Sequence, residues 1–249
     1  MIRHLVVGNW KMHKTVGEAV DFAGRLKEKL KGTEVREVAV APPFTALYQV
    51  AEALQGTGIG LAAQNVSDRE EGAFTGEISA RMLSDAGCRF AIIGHSERRA
   101  FFGEDDGLIN GKIKAALKYG LKPIFCIGET LSQRESGETF AVLERQVAEG
   151  LKGVGASDAA RVIIAYEPVW AIGTGKTATP EQAAEVHIFI REAVGRGYGG
   201  DISRGIPVIY GGSVNPANID ALMARKDING VLVGGASLDI ESFVRIVRV

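Results

Sequence analysis

The chain has 249 residues, of which 46% are hydrophobic and 24% charged, an ordinary globular composition that excludes intrinsic disorder, collagen and coiled coil. Its 29 basic and 30 acidic residues give a formal net charge of −1, without the positive field that nucleic-acid or acidic-membrane binding normally requires. No apolar run approaches the ~18 residues of a membrane span, and the two cysteines, Cys88 and Cys126, are too few for a disulfide framework. We therefore expect a cytoplasmic protein with no nucleic-acid and no membrane partner.

Eight short apolar runs recur along the chain about 32 residues apart, which is the length of one βα unit. They lack polar alternation, as is typical of parallel strands that are covered on both faces. In chain order the runs are Leu5–Val7, Val38–Ala41, Ile59–Ala63, Phe90–Ile93, Pro123–Ile127, Val162–Tyr166, Pro207–Tyr210 and Val231–Val233.

The segments between the runs carry helical signals. Apolar residues at helical spacing predict one buried face after the first run, made by Val16, Ala19, Val20, Ala23 and Leu30. Thr179-Pro180-Glu181-Gln182 is a capping box with proline at the first helical position, and Asn215-Pro216 predicts a similar helix start. We expect a single (β/α)8 barrel domain over residues 1–249, with parallel strands inside and helices outside. A doubly wound open sheet is the main alternative.

Residues that could transfer protons or bind a ligand follow six of the eight runs. In a barrel all of them lie on the carboxyl-terminal rim, where active sites are built. They are Asn9-Trp10-Lys11, Gln64-Asn65, His95-Ser96-Glu97, Glu167-Pro168, Gly211-Gly212-Ser213 and Gly234-Gly235.

Glu167 and His95 are the candidate proton-transfer groups. Partial desolvation at a strand end makes a carboxylate a stronger base, although Glu167 could also form a plain salt bridge. A helix that begins after His95, capped by Ser96, would disfavour the imidazolium and leave a neutral ring that donates a hydrogen bond. A structural histidine is the alternative for His95, and we interpret His4, His13 and His187 as structural or surface residues.

Lys11, Asn9 and the glycine turns are the candidate anion-binding groups. Lys11 could place positive charge beside a bound anion, and Asn9 could donate to the same oxygen. Backbone amides of Gly211, Gly212, Ser213, Gly234 and Gly235 could bind a phosphate, which barrels often hold after strands 7 and 8. Simple strand-to-helix turns would also explain these glycines.

A candidate lid follows Glu167. An apolar tip stands between a proline and a Gly-Thr-Gly sequence, a composition that suits a loop closing over a ligand to exclude water. The segment comprises Pro168, Val169, Trp170, Ala171, Ile172, Gly173, Thr174, Gly175, Lys176, Thr177 and Ala178. An ordinary surface loop is the alternative.

Taken together, these motifs resemble the triosephosphate isomerase family. Each could occur by chance, but they stand in that family's order and span the chain. The matching segments are Gly8–Met12, Gly94–Arg99, Ala165–Lys176, Tyr210–Val214 and Gly234–Ser237.

The resemblance implies a cofactor-free, metal-free isomerisation of dihydroxyacetone phosphate and D-glyceraldehyde 3-phosphate through an enediolate, a step of glycolysis and gluconeogenesis. Glu167 would move the carbon-bound proton and neutral His95 would act on the oxygens, a division of roles for which this family is the standard example. Lys11 and Asn9 would stabilise the oxyanion, with Glu97 tuning the site from beneath. Ile172, Gly173, Gly212, Ser213, Gly234 and Gly235 would hold the substrate.

The resemblance also implies a homodimer, in which Thr75, at the tip of the long Gln64–Ile78 loop, contacts the partner. Three features depart from the family pattern: His13 in place of asparagine, the glycine-rich Gly195–Gly200, and the ending Phe243–Val249. Two other functions remain open: an isomerase or aldolase of a larger sugar phosphate, and an inactive phosphate-binding barrel.

Overall fold

A computed structural model describes residues 4–32, 37–172 and 177–249. Each predicted apolar run forms a strand or the greater part of one, although Ile59, Val162 and Pro207 lie just outside the strands. The first strand extends two residues further than predicted and ends at Asn9. The strands are β1 Leu5–Asn9, β2 Glu37–Ala41, β3 Gly60–Ala63, β4 Phe90–Ile93, β5 Lys122–Ile127, β6 Ile163–Tyr166, β7 Val208–Tyr210 and β8 Gly230–Val233.

The strands pair in parallel and in chain order, and the sheet closes between its first and last members. Leu5 of β1 pairs with Glu37 of β2 on one side and with Gly230 of β8 on the other. The predicted (β/α)8 barrel is therefore confirmed, and the alternative of an open doubly wound sheet is wrong. Because all strands run in the same direction, their carboxyl ends meet at one rim.

Alternate side chains of the strands fill the barrel interior, and the others pack under the helices. In β1, Leu5 and Val7 belong to the inner cluster whereas Val6 belongs to the outer one. Phe90 occupies space that a side chain on Gly60 would need, since a Cβ there would lie 2.8 Å from the ring. Large and small residues on neighbouring strands thus interdigitate, which is how such barrels are packed solid.

Helices surround the barrel, and none of the described helices is long and apolar enough to cross a membrane. They are α1 Val16–Leu30, α2 Leu47–Ala53, α3 Ala80–Asp85, α4 Ser96–Phe102, α5 Asp106–Lys118, α6 Leu131–Glu135, α7 Thr139–Gly150, α8 Ala156–Ala159, α9 Pro180–Tyr198, α10 Gly200–Gly205, α11 Ile219–Met223 and α12 Ile240–Val247. Short 3-10 helices lie at Phe44–Ala46, Val169–Ala171 and Gly235–Leu238.

Two helix predictions need correction, and one is confirmed. The capping box at Thr179 begins α9 as expected. In α1, Ala19, Ala23 and Leu30 are buried as predicted, whereas Val20 is half-buried and Val16 is exposed. Phe22 and Leu26, which we did not predict, complete the buried face. Asn215-Pro216 does not begin a helix: the Asn215 side chain accepts from the Ala217 and Asn218 amides in a turn, which delays α11 to residue 219.

The glycine-rich and carboxyl-terminal segments, which depart from the family pattern, each make a close packing contact. Gly195 in α9 stands where a Cβ would lie 3.2 Å from the Ser203 side chain, so glycine permits α10 to fold back closely. Phe243 of α12 is fully buried, and its ring would lie 3.0 Å from a Cβ on Gly8 of β1. The ending therefore forms part of the core next to the first strand.

Candidate active site

A cleft of about 500 Å³ opens at the carboxyl ends of the strands. Ten of the residues predicted for the site line it: Asn9, Lys11, His95, Glu167, Ile172, Gly211, Gly212, Ser213, Gly234 and Gly235. Glu97 does not line the cleft but contacts two residues that do. Gly173 lies outside the described residues.

Glu167 follows the last residue of β6, and its carboxylate is almost completely buried at the floor of the cleft. Its backbone N–H donates to the Ile127 carbonyl at 2.7 Å, and the Ser96 N–H donates to its Oε2 at 2.8 Å. Its Oε1 lies 3.1 Å from His95 Nε2 and has no well-aligned hydrogen-bond donor among the described residues. Gly211 makes room for this side chain, because a Cβ there would lie 2.9 Å from Glu167 Cγ. One carboxylate oxygen is therefore anchored and the other is available to a ligand.

His95 itself is the N-cap of α4, so the predicted cap at Ser96 is wrong. Its Nδ1 accepts from the Glu97 backbone N–H at 3.2 Å, which places an unprotonated nitrogen at the positive end of the helix. Since Nδ1 accepts, the hydrogen of a neutral ring must lie on Nε2, the nitrogen that faces Glu167. In a neutral ring, the donor nitrogen therefore faces the Glu167 carboxylate.

Lys11 adopts a left-handed backbone conformation with φ of 52°, which is uncommon for a residue other than glycine. Two side chains hold it: Asn9 Oδ1 accepts from the Lys11 N–H at 3.0 Å, and Gln64 Nε2 donates to the Lys11 carbonyl at 2.8 Å. The ammonium group forms an ion pair with Glu97. The strained backbone aims this cation into the cleft, and such strain is often found at functional sites.

Residues from the last two strand ends line the opposite side of the cleft. The turn after β8 leads into the 3-10 helix Gly235–Leu238. Ser237 Oγ donates to the Gly234 carbonyl at 2.7 Å and so closes that turn. The amino end of this short helix is the position where barrels commonly hold a phosphate.

The start of the predicted lid is half-buried rather than an exposed apolar tip. Val169–Ala171 form a 3-10 helix, and Ala171 is fully buried. Trp170 Nε1 donates to Glu129 Oε1 at 2.8 Å, and the Arg134 guanidinium stacks over the indole at 4.7 Å from its centre. At the far end Thr177 is exposed and Ala178 is buried. Gly173, Thr174, Gly175 and Lys176 lie outside the described residues.

Glu129, which sequence reasoning missed, holds this first part of the lid. Its Oε1 also accepts from the Tyr166 hydroxyl and from Arg134, each at 3.1 Å. Burial, together with the Glu129 carboxylate, holds the pKa of Tyr166 well above its usual value, so its hydroxyl remains a donor. Glu129 lies two residues after the fifth apolar run, so its place at a strand end is a signal that the sequence contains.

Other residues line the cleft that were not predicted to contact a ligand. Val214, Asn215, Leu232, Ala236 and Leu238 line the cleft because of how the strand ends turn. His13 also lines it while remaining exposed, in agreement with its interpretation as a surface residue. Cys126 is buried inside the barrel, and burial raises the pKa of its thiol well above the usual value, which fits core packing.

The comparisons with known proteins agree with this geometry. The family model for triosephosphate isomerase matches residues 4–249. Triosephosphate isomerases of Carboxydothermus hydrogenoformans, Moorella thermoacetica and Syntrophotalea carbinolica are 56%, 53% and 51% identical to this chain over 248 residues. These alignments cover 100% of this chain and 99%, 99% and 98% of the respective relatives. The chain belongs to the triosephosphate isomerase family.

Proposed function

We propose that this chain interconverts dihydroxyacetone phosphate and D-glyceraldehyde 3-phosphate through an enediolate, without a metal or an organic cofactor. The observation that carries this proposal is the pair of groups at the floor of the cleft. A buried carboxylate oxygen of Glu167 lies 3.1 Å from Nε2 of a histidine whose Nδ1 is occupied as an acceptor. A base and a neutral donor at this separation can act on a carbon and on its neighbouring oxygen in one bound substrate.

The proposed steps need only proton transfers. Glu167 Oε1 removes the proton from the carbon beside the carbonyl, while His95 Nε2–H donates to the carbonyl oxygen. The enediolate accepts the proton back on the adjacent carbon, while the hydroxyl proton moves from one oxygen to the other through His95 Nε2, so one carbon is oxidised and its neighbour reduced within the same molecule. Because the conversion is redox-neutral overall, it requires no nicotinamide or flavin. Positioned acid–base groups of this kind contribute about 10²–10⁴-fold to a rate.

Charged and backbone groups would stabilise the enediolate and hold the phosphate. Lys11 and Asn9 would face the developing oxyanion, where each preorganised donor is worth about 10²–10³-fold in turnover. Glu97 would act from beneath, through its backbone bond to His95 and its ion pair with Lys11. Gly173, Gly212, Ser213, Gly234 and Gly235 would bind the phosphate, with Ile172 against the substrate.

The segment Pro168–Ala178 would close over the substrate as a lid. Closure excludes water, which strengthens the electrostatic contacts and protects the enediolate from losing its phosphate. The hydrogen bond between Trp170 and Glu129 would hold the first part of this lid before closure.

Membership in the triosephosphate isomerase family favours this function over the two alternatives, an enzyme of a larger sugar phosphate and an inactive barrel. The inactive barrel would also be expected to lack one of Lys11, His95 and Glu167, and the chain retains all three.

We also propose a homodimer in the cytoplasm. The tip of the loop after β3 is exposed around Thr75, and the exposed rings of Phe74, Phe101 and Phe102 provide apolar surface for a second copy. Both cysteines are buried and free, as in proteins of reducing compartments. Sedimentation of the wild type and of Thr75→Arg tests the dimer: the variant should sediment as a monomer at concentrations where the wild type is a dimer. A wild type that sediments as a monomer would contradict this proposal.

A coupled-enzyme assay of D-glyceraldehyde 3-phosphate isomerisation tests the function. Glu167→Gln should lower kcat at least about 10³-fold with little change in substrate affinity, because the amide keeps the shape of the carboxyl group but is not a base. Glu149→Gln is the matched control, since Glu149 is exposed on α7 and forms a surface ion pair with Lys152. A correctly folded wild type without turnover would overturn the proposed function.

A further inference from the structure

Gln146 binds the backbone of a neighbouring residue with both ends of its side-chain amide. It lies on α7, is 5% exposed, and is not a cleft-lining residue. The Gly128 N–H donates to Gln146 Oε1 at 2.8 Å, and Gln146 Nε2 donates to the Gly128 carbonyl at 3.2 Å. The two bonds fix the orientation of the amide, because an N–H must face the oxygen and a carbonyl must face the nitrogen.

Gly128 is the residue against which the backbone of Glu167 rests. The carbonyls of its two chain neighbours each accept a hydrogen bond from the segment that begins at Glu167. The Glu167 N–H donates to the Ile127 carbonyl at 2.7 Å, and the Val169 N–H donates to the Glu129 carbonyl at 3.1 Å. A Cβ on Gly128 would lie only 1.7 Å from the Glu167 carbonyl oxygen. A shift of the Gly128 peptide would therefore shift the backbone of both Glu167 and the first residues of the lid segment.

Helix α7 is itself firmly held. Leu143 and Val147, which flank Gln146 in the helix, are buried in the outer core. Gln146 thus links a packed outer helix to the peptide that supports Glu167, across a sequence separation of 18 residues.

We propose that Gln146 is a positioning residue for the isomerisation, which acts through Gly128 to hold the Glu167 carboxylate and the start of the lid in place. This inference rests on the proposed function. Misplacing a catalytic group by about 1 Å can cost about 10²-fold in rate, so loss of the Gln146 contacts should reduce turnover more than substrate binding.

The simplest test is Gln146→Met, which keeps the volume and removes both hydrogen bonds. We expect kcat to fall by about tenfold to a hundredfold with KM changed less than threefold. Asn110→Leu is the matched control, because Asn110 also bonds backbone carbonyls, those of Gly150 at 2.8 Å and Lys152 at 3.0 Å, and neither it nor its partners line the cleft. Its Tm should fall while its kcat stays within twofold of the wild type.

A second variant, Gln146→Glu, tests the same contact without relying on how Gln146→Met folds. A protonated carboxyl can accept from the Gly128 N–H and donate to the Gly128 carbonyl, whereas the carboxylate can only accept. The ratio of its kcat to that of the wild type should therefore rise as the pH is lowered from 8 to 5.5.

The outcomes separate the two proposals. An inactive wild type would overturn the proposed function. An active wild type with an unchanged kcat in Gln146→Met, or a kcat ratio in Gln146→Glu that does not vary with pH, would overturn the role of Gln146 alone.

Discussion

The carboxyl-terminal rim and the wall between α9 and β7–β8 each contain a buried histidine, and the two rings carry their hydrogen on opposite nitrogens. At the rim, His95 Nδ1 accepts from a backbone N–H, so Nε2 is the donor. In the wall, His187 Nδ1 lies 3.2 Å from the Asp227 carbonyl, which can only accept, so Nδ1 is the donor. The backbone group next to Nδ1 thus decides which nitrogen is left to do chemistry.

The difference explains why one ring can be catalytic and the other is structural. The donor nitrogen of His95 lies 3.1 Å from Glu167 Oε1 in an open cleft. The donor of His187 is used by the fold, and its Nε2 has no hydrogen-bond partner among the described residues. Burial lowers the pKa of His187 to about 3, and the nearby Arg191 charge acts in the same direction, although the Asp227 carbonyl opposes them. His187 therefore stays neutral throughout the physiological range.

The largest expected effect comes from the rim. His95→Gln removes the neutral donor and should lower kcat by about 10²–10⁴-fold. His187→Asn, measured in the same coupled assay at pH 7.5, should retain kcat within threefold, because an asparagine can still donate to the Asp227 carbonyl. Equal losses in the two variants would refute the distinction between the two histidines.

Gly94→Ala should have the next largest effect on activity and stability. Gly94 directly precedes His95, and an alanine there would be strained. Gly94 has φ of +72°, and a Cβ there would lie 2.8 Å from Ile109 Cδ1. We expect the free energy of unfolding, measured by urea titration, to fall by about 2–4 kcal/mol, with a loss of kcat from the displaced ring.

Gly103→Ala is the matched control for that strain. Gly103 has φ of +67° at the other end of α4, with no atom within 4 Å of its Cβ position. The Gly103→Ala variant should have a free energy of unfolding only about 1 kcal/mol below that of the wild type, and its kcat should be unchanged. A Gly94→Ala variant as stable as Gly103→Ala would contradict the packing argument.

The third prediction is that His187, in the wall between α9 and β7–β8, makes the fold less stable at low pH. Because the pKa of His187 is about 3 in the fold and about 6.5 in an unfolded chain, the unfolded state binds more protons between these values. Stability is therefore lost as the pH falls below 6.5, at about 1.4 kcal/mol per pH unit, or about 2 kcal/mol at pH 5. In urea titrations at equal protein concentration, the free energy of unfolding of the wild type should fall by about 2 kcal/mol more than that of His187→Asn between pH 7 and pH 5. Parallel losses would show that His187 is not the acid-sensitive group.

The smallest expected effect is at a third histidine. His13 is exposed at the edge of the cleft and departs from the asparagine that the family pattern favours. Its ring is solvated, so His13→Asn should change kcat and KM less than twofold in the coupled assay. A tenfold change in KM would instead identify His13 as a substrate contact.

Much of the site could be predicted because it depends on local order along the chain. Glu167, His95, Lys11 and the glycine turns each lie within four residues of the end of an apolar run, and closure of the barrel brings all strand ends together. Glu129 follows the same rule and could have been found by it. The contacts of Trp170 could not be predicted, because they depend on Glu129 and Arg134 from another loop.

The sequence by itself predicted the strands and the residues that follow them, and favoured a closed barrel, because apolar runs and turn residues act within a few positions of one another. Only the tertiary structure decided that His95 rather than Ser96 caps α4 and that one oxygen of Glu167 is anchored by a peptide 71 residues away. It alone also brings Gln146 against Gly128. These features depend on distances of a few ångströms between segments that are distant in the chain, and such distances arise only when the helices pack on the closed barrel.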